Sequence, residues 1–272
     1  MTLQTDITLD YSAIKVKQNA AWTSGNYAVV GTTLQKVGED LAERLNLAPG
    51  ARVLDVAAGN GNATLAFARR WHAVTSTDYV QHLLDKGAAR AEAEGLDVAF
   101  RVADAEALPF EDNSFDAVVS TFGVMFAPNQ MAAADEMLRV CKPGGQIGLA
   151  NWTPDGFIGR LFRTLGGFVA PPPGVKSPAL WGDEAWLNTS FSAAQRISVS
   201  PASFNFRYRS ASHFIAVFRD LYGPVHKAFQ SLPPARQEEL EEAITALIAE
   251  FNTATDGSMQ VPSAYVEVEI LK

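Results

Sequence analysis

The sequence has a single cysteine, Cys141, and fewer basic than acidic residues. One cysteine excludes an internal disulfide framework and favours a reducing compartment, so we expect a cytoplasmic protein. Lys and Arg total 22 against 30 Asp and Glu, which gives a formal net charge of −8. Because a phosphate backbone is repelled by an acidic surface, we do not expect nucleic acid as a partner.

Long apolar runs and metal-ligand patterns are also missing. No segment approaches the roughly 20 apolar residues of a membrane-spanning helix, and residues 1–17 lack the charge and apolar order of a secretory signal. No group of His, Cys and acidic residues has metal-ligand spacing, so no metal site is predicted. The chain does have 272 residues, 47% of them hydrophobic, which is enough for one large domain.

Strand-like and helix-like segments alternate through the middle of the chain. The predicted strands are 52–57, 73–78, 97–103, 115–121 and 145–151. Helices are predicted at 30–45, 63–70, 80–94 and 130–141. Strands separated by helices indicate a mostly parallel sheet covered on both faces. Near the C-terminus, 204–210 and 265–272 alternate apolar and polar residues, as antiparallel strands do.

The stretch VLDVAAGNGNATLA, residues 53–66, passes from an apolar strand through two glycines into a helix. In an open parallel sheet, ligands bind outside the carboxyl ends of the strands, where this loop is expected. Gly59 and Gly61 allow a ligand to approach the backbone closely. A dinucleotide fingerprint would place a third glycine at position 64, where the chain has Thr64. The loop therefore favours a nucleoside without phosphates.

Two acidic residues follow neighbouring predicted strands. Asp78 ends the second strand, seventeen residues after Gly61, where a carboxylate accepts hydrogen bonds from both ribose hydroxyls. Asp104 follows the third strand and is placed to accept from an exocyclic amine such as that of adenine. Each acid also has an ordinary structural interpretation, because acids at strand ends often cap the next helix.

The order of these features resembles that of the class I S-adenosylmethionine-dependent methyltransferases. The segments are VLDVAAGNG, Asp78, DAEALPFEDNSFDAVVS and MLRVCKPGGQIGLANW, which together span about residues 50–152. Within the family, the sequence most resembles the group related to ubiquinone/menaquinone-biosynthesis C-methyltransferases. The resemblance implies a doubly wound α/β fold with helices on both faces of a seven-stranded, mostly parallel sheet whose last strand is antiparallel.

The resemblance also implies a division of the chain and a set of cofactor contacts. Residues 1–30 are expected to form an N-terminal lid, 31–155 a Rossmann-like core that binds S-adenosylmethionine, and 156–272 a helical cap with the last strands. Asp55 is expected to support the glycine loop, and Ala57 departs from the glycine that many relatives carry. The expected contacts are Trp22, Tyr27, Asp55, Ala57, Gly59, Gly61, Asp78, Tyr79, Leu83, Asp104, Ala105, Thr121 and Phe122.

The reaction implied is in-line transfer of a methyl group to a small, partly apolar molecule. Such a transfer needs a base only if the acceptor must lose a proton early, and the sequence identifies none. His213 and His226 fall in the region that would cover the acceptor, but neither is assigned a role. Two alternatives remain open: a cofactor-binding or sensor module without turnover, and a nicotinamide-dependent oxidoreductase. The sequence does not identify the acceptor or the oligomeric state.

Overall fold

The computed structural model describes residues 9–272, whose strands form a seven-stranded sheet. Along the sheet the order is β3-β2-β1-β4-β5-β7-β6. Neighbours from β3 to β5 are parallel, and β7 is antiparallel to both β5 and β6. This confirms the predicted fold class. The strands are β1 (Arg52–Val56), β2 (Ala73–Asp78), β3 (Val98–Val102), β4 (Phe115–Thr121), β5 (Cys141–Trp152), β6 (Arg196–Tyr208) and β7 (Met259–Leu271).

Helices precede, separate and follow the strands. Two short 3₁₀ helices, Val124–Phe126 and Pro178–Gly182, lie after β4 and before α8. Within residues 9–272, the helices all fall short of the length and apolar content needed to cross a membrane. The α-helices are α1 (Tyr11–Ser24), α2 (Tyr27–Thr32), α3 (Gln35–Leu45), α4 (Asn62–Ala68), α5 (Gln81–Ala93), α6 (Gln130–Val140), α7 (Phe157–Phe168), α8 (Glu184–Ser190), α9 (Ala211–Leu221), α10 (Gly223–Ser231) and α11 (Pro234–Phe251).

The central strands bury both of their faces. On β1, Val53 packs into a core with residues of α3 and α4, whereas Leu54 and Val56 belong to the larger core on the other side. A strand covered on both faces needs no apolar–polar alternation, which explains the continuous apolar run in its sequence. With both faces covered, the ends of the strands are where the sheet is open to a ligand.

Several elements differ from their predicted bounds. The helix expected over 30–45 is two helices, α2 and α3, because Leu34 leaves the helical conformation at the N-cap of α3. The last two strands are longer than predicted and pair with each other along their whole length. Pro201 and Pro262 lie within them and interrupt the sequence pattern that would have marked their full extent.

The predicted lid begins outside the described residues, since its first eight positions are not among them. Its remainder forms α1 and the start of α2, and both helices precede the sheet in the chain. Residues 156–272 contribute five α-helices, one 3₁₀ helix and two strands of the common sheet. The division into lid, core and cap stays a prediction.

Candidate functional site

A cavity of about 620 Å³, its open mouth included, lies at the carboxyl ends of β1, β2, β3 and β4. The loops after these strands form its floor, and α1 covers it. Most of the predicted cofactor contacts line this cavity: Trp22, Tyr27, Ala57, Gly59, Asp78, Tyr79, Leu83, Asp104 and Ala105.

A second, more polar cavity of about 310 Å³ adjoins the first. Tyr27, Ala57 and Gly59 line both cavities, so the glycine loop separates them. Two further predicted contacts, Thr121 and Phe122, line only the second cavity. Sequence reasoning missed two of its polar residues, Asn60 and Asn62.

Asp55 and Gly61 line neither cavity. Asp55 is fully buried behind the loop, where its Oδ2 accepts hydrogen bonds from the Thr64 backbone N (2.8 Å) and hydroxyl Oγ1 (2.6 Å). Gly61 adopts φ = 84° at the N-cap of α4. Thr64 is completely buried at the position where a dinucleotide site would need a glycine, and its side chain fills that space. These residues therefore shape the loop from behind, and direct contact with a ligand stays a prediction.

The loop after β1 is built for close approach of backbone to backbone. Gly59 has φ = 58°, a left-handed conformation, and a Cβ at that position would lie 3.3 Å from Tyr27 Cε1. A Cβ on Gly123, in the loop after β4, would lie only 1.9 Å from the carbonyl oxygen of Ala57. Ala57 itself adopts φ = 52°, where most L-residues are strained. Phe122, which lines the second cavity, also has a positive φ, at 62°.

Asp78 holds the glycine loop from the end of β2. Its Oδ2 accepts a hydrogen bond from Gly59 N and its Oδ1 accepts one from Val80 N, both at 2.9 Å. Burial raises the pKa of the Asp78 carboxyl to about 6, although these backbone donors act in the opposite direction. Burial also raises the pKa of Asp55 to about 7. Each Asp78 oxygen has a lone pair left for a further donor, such as a ribose hydroxyl.

Aromatic side chains form the wall above the loop. Trp22 makes edge-to-face contacts with Tyr27 (5.4 Å), Phe126 (5.0 Å) and Tyr222 (5.5 Å between ring centroids). Burial, and secondarily the charge of Asp78, raises the pKa of Tyr27 to about 12. The Tyr27 hydroxyl therefore stays protonated at neutral pH, so it is a donor and not a base.

At the far end of the cavity, Asp104 is paired with a residue that the sequence did not suggest. Lys15 Nζ lies 2.6 Å from Asp104 Oδ2 and 2.8 Å from Glu106 Oε2. Gln18, one turn further along α1, also lines the cavity, and its buried Oε1 has no hydrogen-bond partner among residues 9–272. The spacing of Lys15, Gln18 and Trp22 puts them on one helix face, but mixed polar faces are common on solvated helices.

The titratable residues considered as bases lie elsewhere. His213 Nδ1 accepts a hydrogen bond from Arg209 N (3.2 Å), and His226 Nδ1 lies 2.7 Å from the Arg219 carbonyl oxygen. Neither histidine lines either cavity. Within residues 9–272, the acidic, His and Cys side chains form no group of three arranged to hold a metal ion.

Comparison with known proteins identifies the family. A family model described as "Methyltransferase domain" matches residues 53–145. The chain is 39% identical over 125 residues to demethylmenaquinone methyltransferase of Renibacterium salmoninarum, covering 46% of this chain and 50% of that protein. It is 36% identical over 271 residues to the uncharacterized protein Rv1405c of Mycobacterium tuberculosis, covering 96% of each chain. The chain belongs to the class I S-adenosylmethionine-dependent methyltransferases.

A solved structure agrees with this methyltransferase in fold. The YcgJ protein of Bacillus subtilis matches it with a TM-score of 0.59 and 19% identity, covering 87% of this chain and 98% of that one. At that identity the similarity concerns the fold alone. Members of the family take the transferred methyl group from S-adenosylmethionine.

Proposed function

We propose that this methyltransferase binds S-adenosylmethionine in the two adjoining cavities and transfers its methyl group to a small, partly apolar molecule. One observation carries the proposal: the ends of three strands bring Gly59, Asp78 and Asp104 to a single cavity. These are the groups suited to accommodate a ribose near the backbone, accept from its hydroxyls and accept from an amine. A cytoplasmic location is part of the same proposal.

The larger cavity fits the adenosine portion. Asp78 is 5% exposed, and each of its oxygens already accepts one backbone hydrogen bond, which fixes the carboxylate for two ribose hydroxyls. Asp104 and Ala105 line the cavity beyond it and are proposed to meet the polar edge of adenine. Tyr79 and Leu83 line the same space and are proposed to cover the ribose and base.

The smaller cavity fits the amino-acid portion of the cofactor. Thr121, Asn60 and Asn62 give it polar walls, in contrast to the mainly apolar larger cavity. Asn60 and Asn62 also tie the loop to its surroundings, since Asn62 Nδ2 donates to the Gly31 carbonyl (2.7 Å). The ammonium and carboxylate of a methionine moiety need such polar partners when they leave water. Where the cavities join is then the position of the sulfur.

When bound, S-adenosylmethionine supplies a methyl group already attached to a good leaving group. The contribution of the protein is orientation, which in favourable cases supplies roughly 7 to 11 kcal/mol of the barrier. Trp22 and Tyr27 contact each other and line the larger cavity, and they are proposed to exclude water from the region above the glycine loop. The proposal assigns no side chain as a base.

The acceptor is proposed to enter along the aromatic wall. Trp22 and Phe126 line the larger cavity, and Phe162 packs against Phe126 at 5.6 Å. Gly123 and Val124 continue the lining towards the end of β4. Small-molecule sites are mostly apolar with a few polar groups, and this wall has that character.

Calorimetric titration tests the cofactor assignment. S-adenosylhomocysteine is expected to bind and raise the melting temperature, while NAD at the same concentration is expected to do neither. Transfer is then measured with labelled S-adenosylmethionine and a panel of quinone-precursor, phenolic, fatty and amine acceptors. Binding of NAD but not of the homocysteine compound would contradict the proposal. Cofactor binding without transfer to any cellular metabolite would favour a sensor module.

A further inference from the structure

Helix α1 covers the larger cavity, although little of the helix is buried. Within α1 only Trp22, near the C-terminal end of the helix, is fully buried. The backbone of α1 also packs closely against Gly223 of α10 at this end. A Cβ on Gly223 would lie only 2.7 Å from the Ala21 carbonyl oxygen. The part of the helix before Trp22 has no fully buried side chain, and polar side chains attach it to the rest of the protein. A segment with few buried apolar contacts opens at low free-energy cost.

Two side chains that precede Trp22 attach α1 to the loops after β2 and β3. Asn19 Nδ2 donates a hydrogen bond to the Tyr79 carbonyl oxygen at 2.8 Å. Lys15 Nζ reaches both Asp104 Oδ2 (2.6 Å) and Glu106 Oε2 (2.8 Å). Both attachments are to segments that line the adenosine part of the cavity or lie next to it.

The Lys15 ion pairs differ from ordinary surface pairs. The Glu106 side chain is only 5% exposed, and its other oxygen, Oε1, accepts a hydrogen bond from Asn129 N at 2.7 Å. Burial alone would lower the pKa of the Lys15 ammonium, but its hydrogen bonds to Asp104 and Glu106 outweigh this and raise it. Exposed ion pairs contribute little to stability, whereas breaking one with a buried member leaves a desolvated charge unpaired.

Lys15 also restricts the geometry of Asp104. Asp104 Oδ2 accepts a hydrogen bond from Lys15 Nζ, and Asp104 Oδ1 accepts one from the backbone N of Glu106 at 2.9 Å. With one donor on each oxygen, the carboxylate has a fixed plane and keeps lone pairs for a further donor. A fixed acceptor loses less entropy when it binds a ligand than a free one does.

We propose that Lys15 is a positioning residue, which orients Asp104 towards the adenine and fastens the first half of α1 over bound cofactor. This inference rests on the proposed function. It predicts that the contacts of Lys15 slow release of the cofactor product. The chemical step, which is proposed to take place where the two cavities join, is not expected to depend on Lys15.

The test compares Lys15→Met with Lys17→Met, a matched control on the same helix whose side chain is exposed. S-adenosylhomocysteine dissociation is followed by stopped flow, and backbone hydrogen exchange is measured over residues 11–19 in the ligand-free protein. In Lys15→Met we expect dissociation to be about tenfold faster, within the range usual for coupling between a contact and a ligand. Exchange in the helix should also be faster, KM for S-adenosylmethionine higher and kcat not lower.

Two further variants separate positioning from a general loss of stability. Lys15→Arg keeps a cation of adequate reach and is expected to restore most of the slow dissociation. Glu106→Gln keeps an acceptor for Asn129 N but loses the charge, so it should accelerate dissociation. Lys15→Met should then accelerate dissociation less when it is added to Glu106→Gln than when it is made in the wild type. Melting temperatures of the ligand-free variants show whether each is folded.

The outcomes distinguish this inference from the proposed function. If the wild type does not bind S-adenosylhomocysteine, the proposed function fails. If the wild type binds it but Lys15→Met releases it as slowly as Lys17→Met, the positioning role is wrong and the proposed function stands. Equal hydrogen exchange in the two variants would likewise overturn the role in closing α1.

Discussion

Replacing Asp78 by Ala removes the proposed acceptor of both ribose hydroxyls. Hydrogen bonds to a charged group contribute about 1.5 to 3 kcal/mol, so the Kd of S-adenosylhomocysteine should rise roughly 10- to 150-fold. The variant also loses the acceptor for Gly59 N, which loosens the loop and acts in the same direction. Asp78 is nearly buried between the loop and α5, so water replaces its hydrogen bonds poorly.

The assay is titration calorimetry at pH 8, where an Asp78 carboxyl with a pKa of about 6 is ionised. Asp85→Ala is the matched control, because Asp85 is exposed on α5 and lines neither cavity. Circular dichroism melts of both ligand-free variants establish that they are folded. A folded Asp78→Ala protein whose Kd stays within threefold of the control would refute the ribose-binding role.

Three further predictions concern pH and packing. Because the pKa of Asp78 is about 6, and the ionised form is the one proposed to bind, cofactor affinity should fall as the pH drops through 6, by about tenfold at pH 5. Calorimetry between pH 5 and 8 measures this fall, and Asp78→Asn should not show it. The pKa of Asp55 is raised from 3.8 to about 7, so its contribution to stability is fully present below about pH 4 and is lost as the pH rises through 7. The melting temperature of Asp55→Asn minus that of the wild type should therefore rise from pH 5 to pH 8. A difference that stays constant over this range would contradict the raised pKa. Gly123→Ala should lower the free energy of unfolding by about 1 to 3 kcal/mol, because its Cβ would overlap the Ala57 carbonyl. Gly167→Ala is the control and should not lower it, since no atom lies within 4 Å of a Cβ at that position. Urea unfolding of both variants measures the change.

Fold and activity are separate conclusions for this protein. The structural similarity to YcgJ concerns only the chain path, and one fold commonly supports several chemistries. Methyl transfer is the activity of the family, whereas the lining of the cavity selects the acceptor. The aromatic wall and the polar second cavity are the features that any candidate acceptor and cofactor have to match.

The sequence alone determined the parallel core and the glycine loop. Both depend on short-range patterns: a continuous apolar strand, glycines where the backbone turns, and Asp78 at a strand end. Apolar periodicity also identified Val30 to Leu45 as helical. It did not identify the break at Leu34, which divides α2 from α3. The alternating C-terminal segments indicated strands, although their length was set by mutual pairing between β6 and β7.

Only the tertiary structure decided what lies opposite these motifs. Lys15 is 89 residues from Asp104 in the chain, and a lysine on a polar helix face has no local pattern that identifies its partner. Asn60 and Asn62 acquire their surroundings from α2, and Tyr222 reaches Trp22 from the far end of the chain. Local sequence fixes which backbone conformations are accessible, whereas contacts across the cavity depend on packing between distant elements, which no short window of sequence contains.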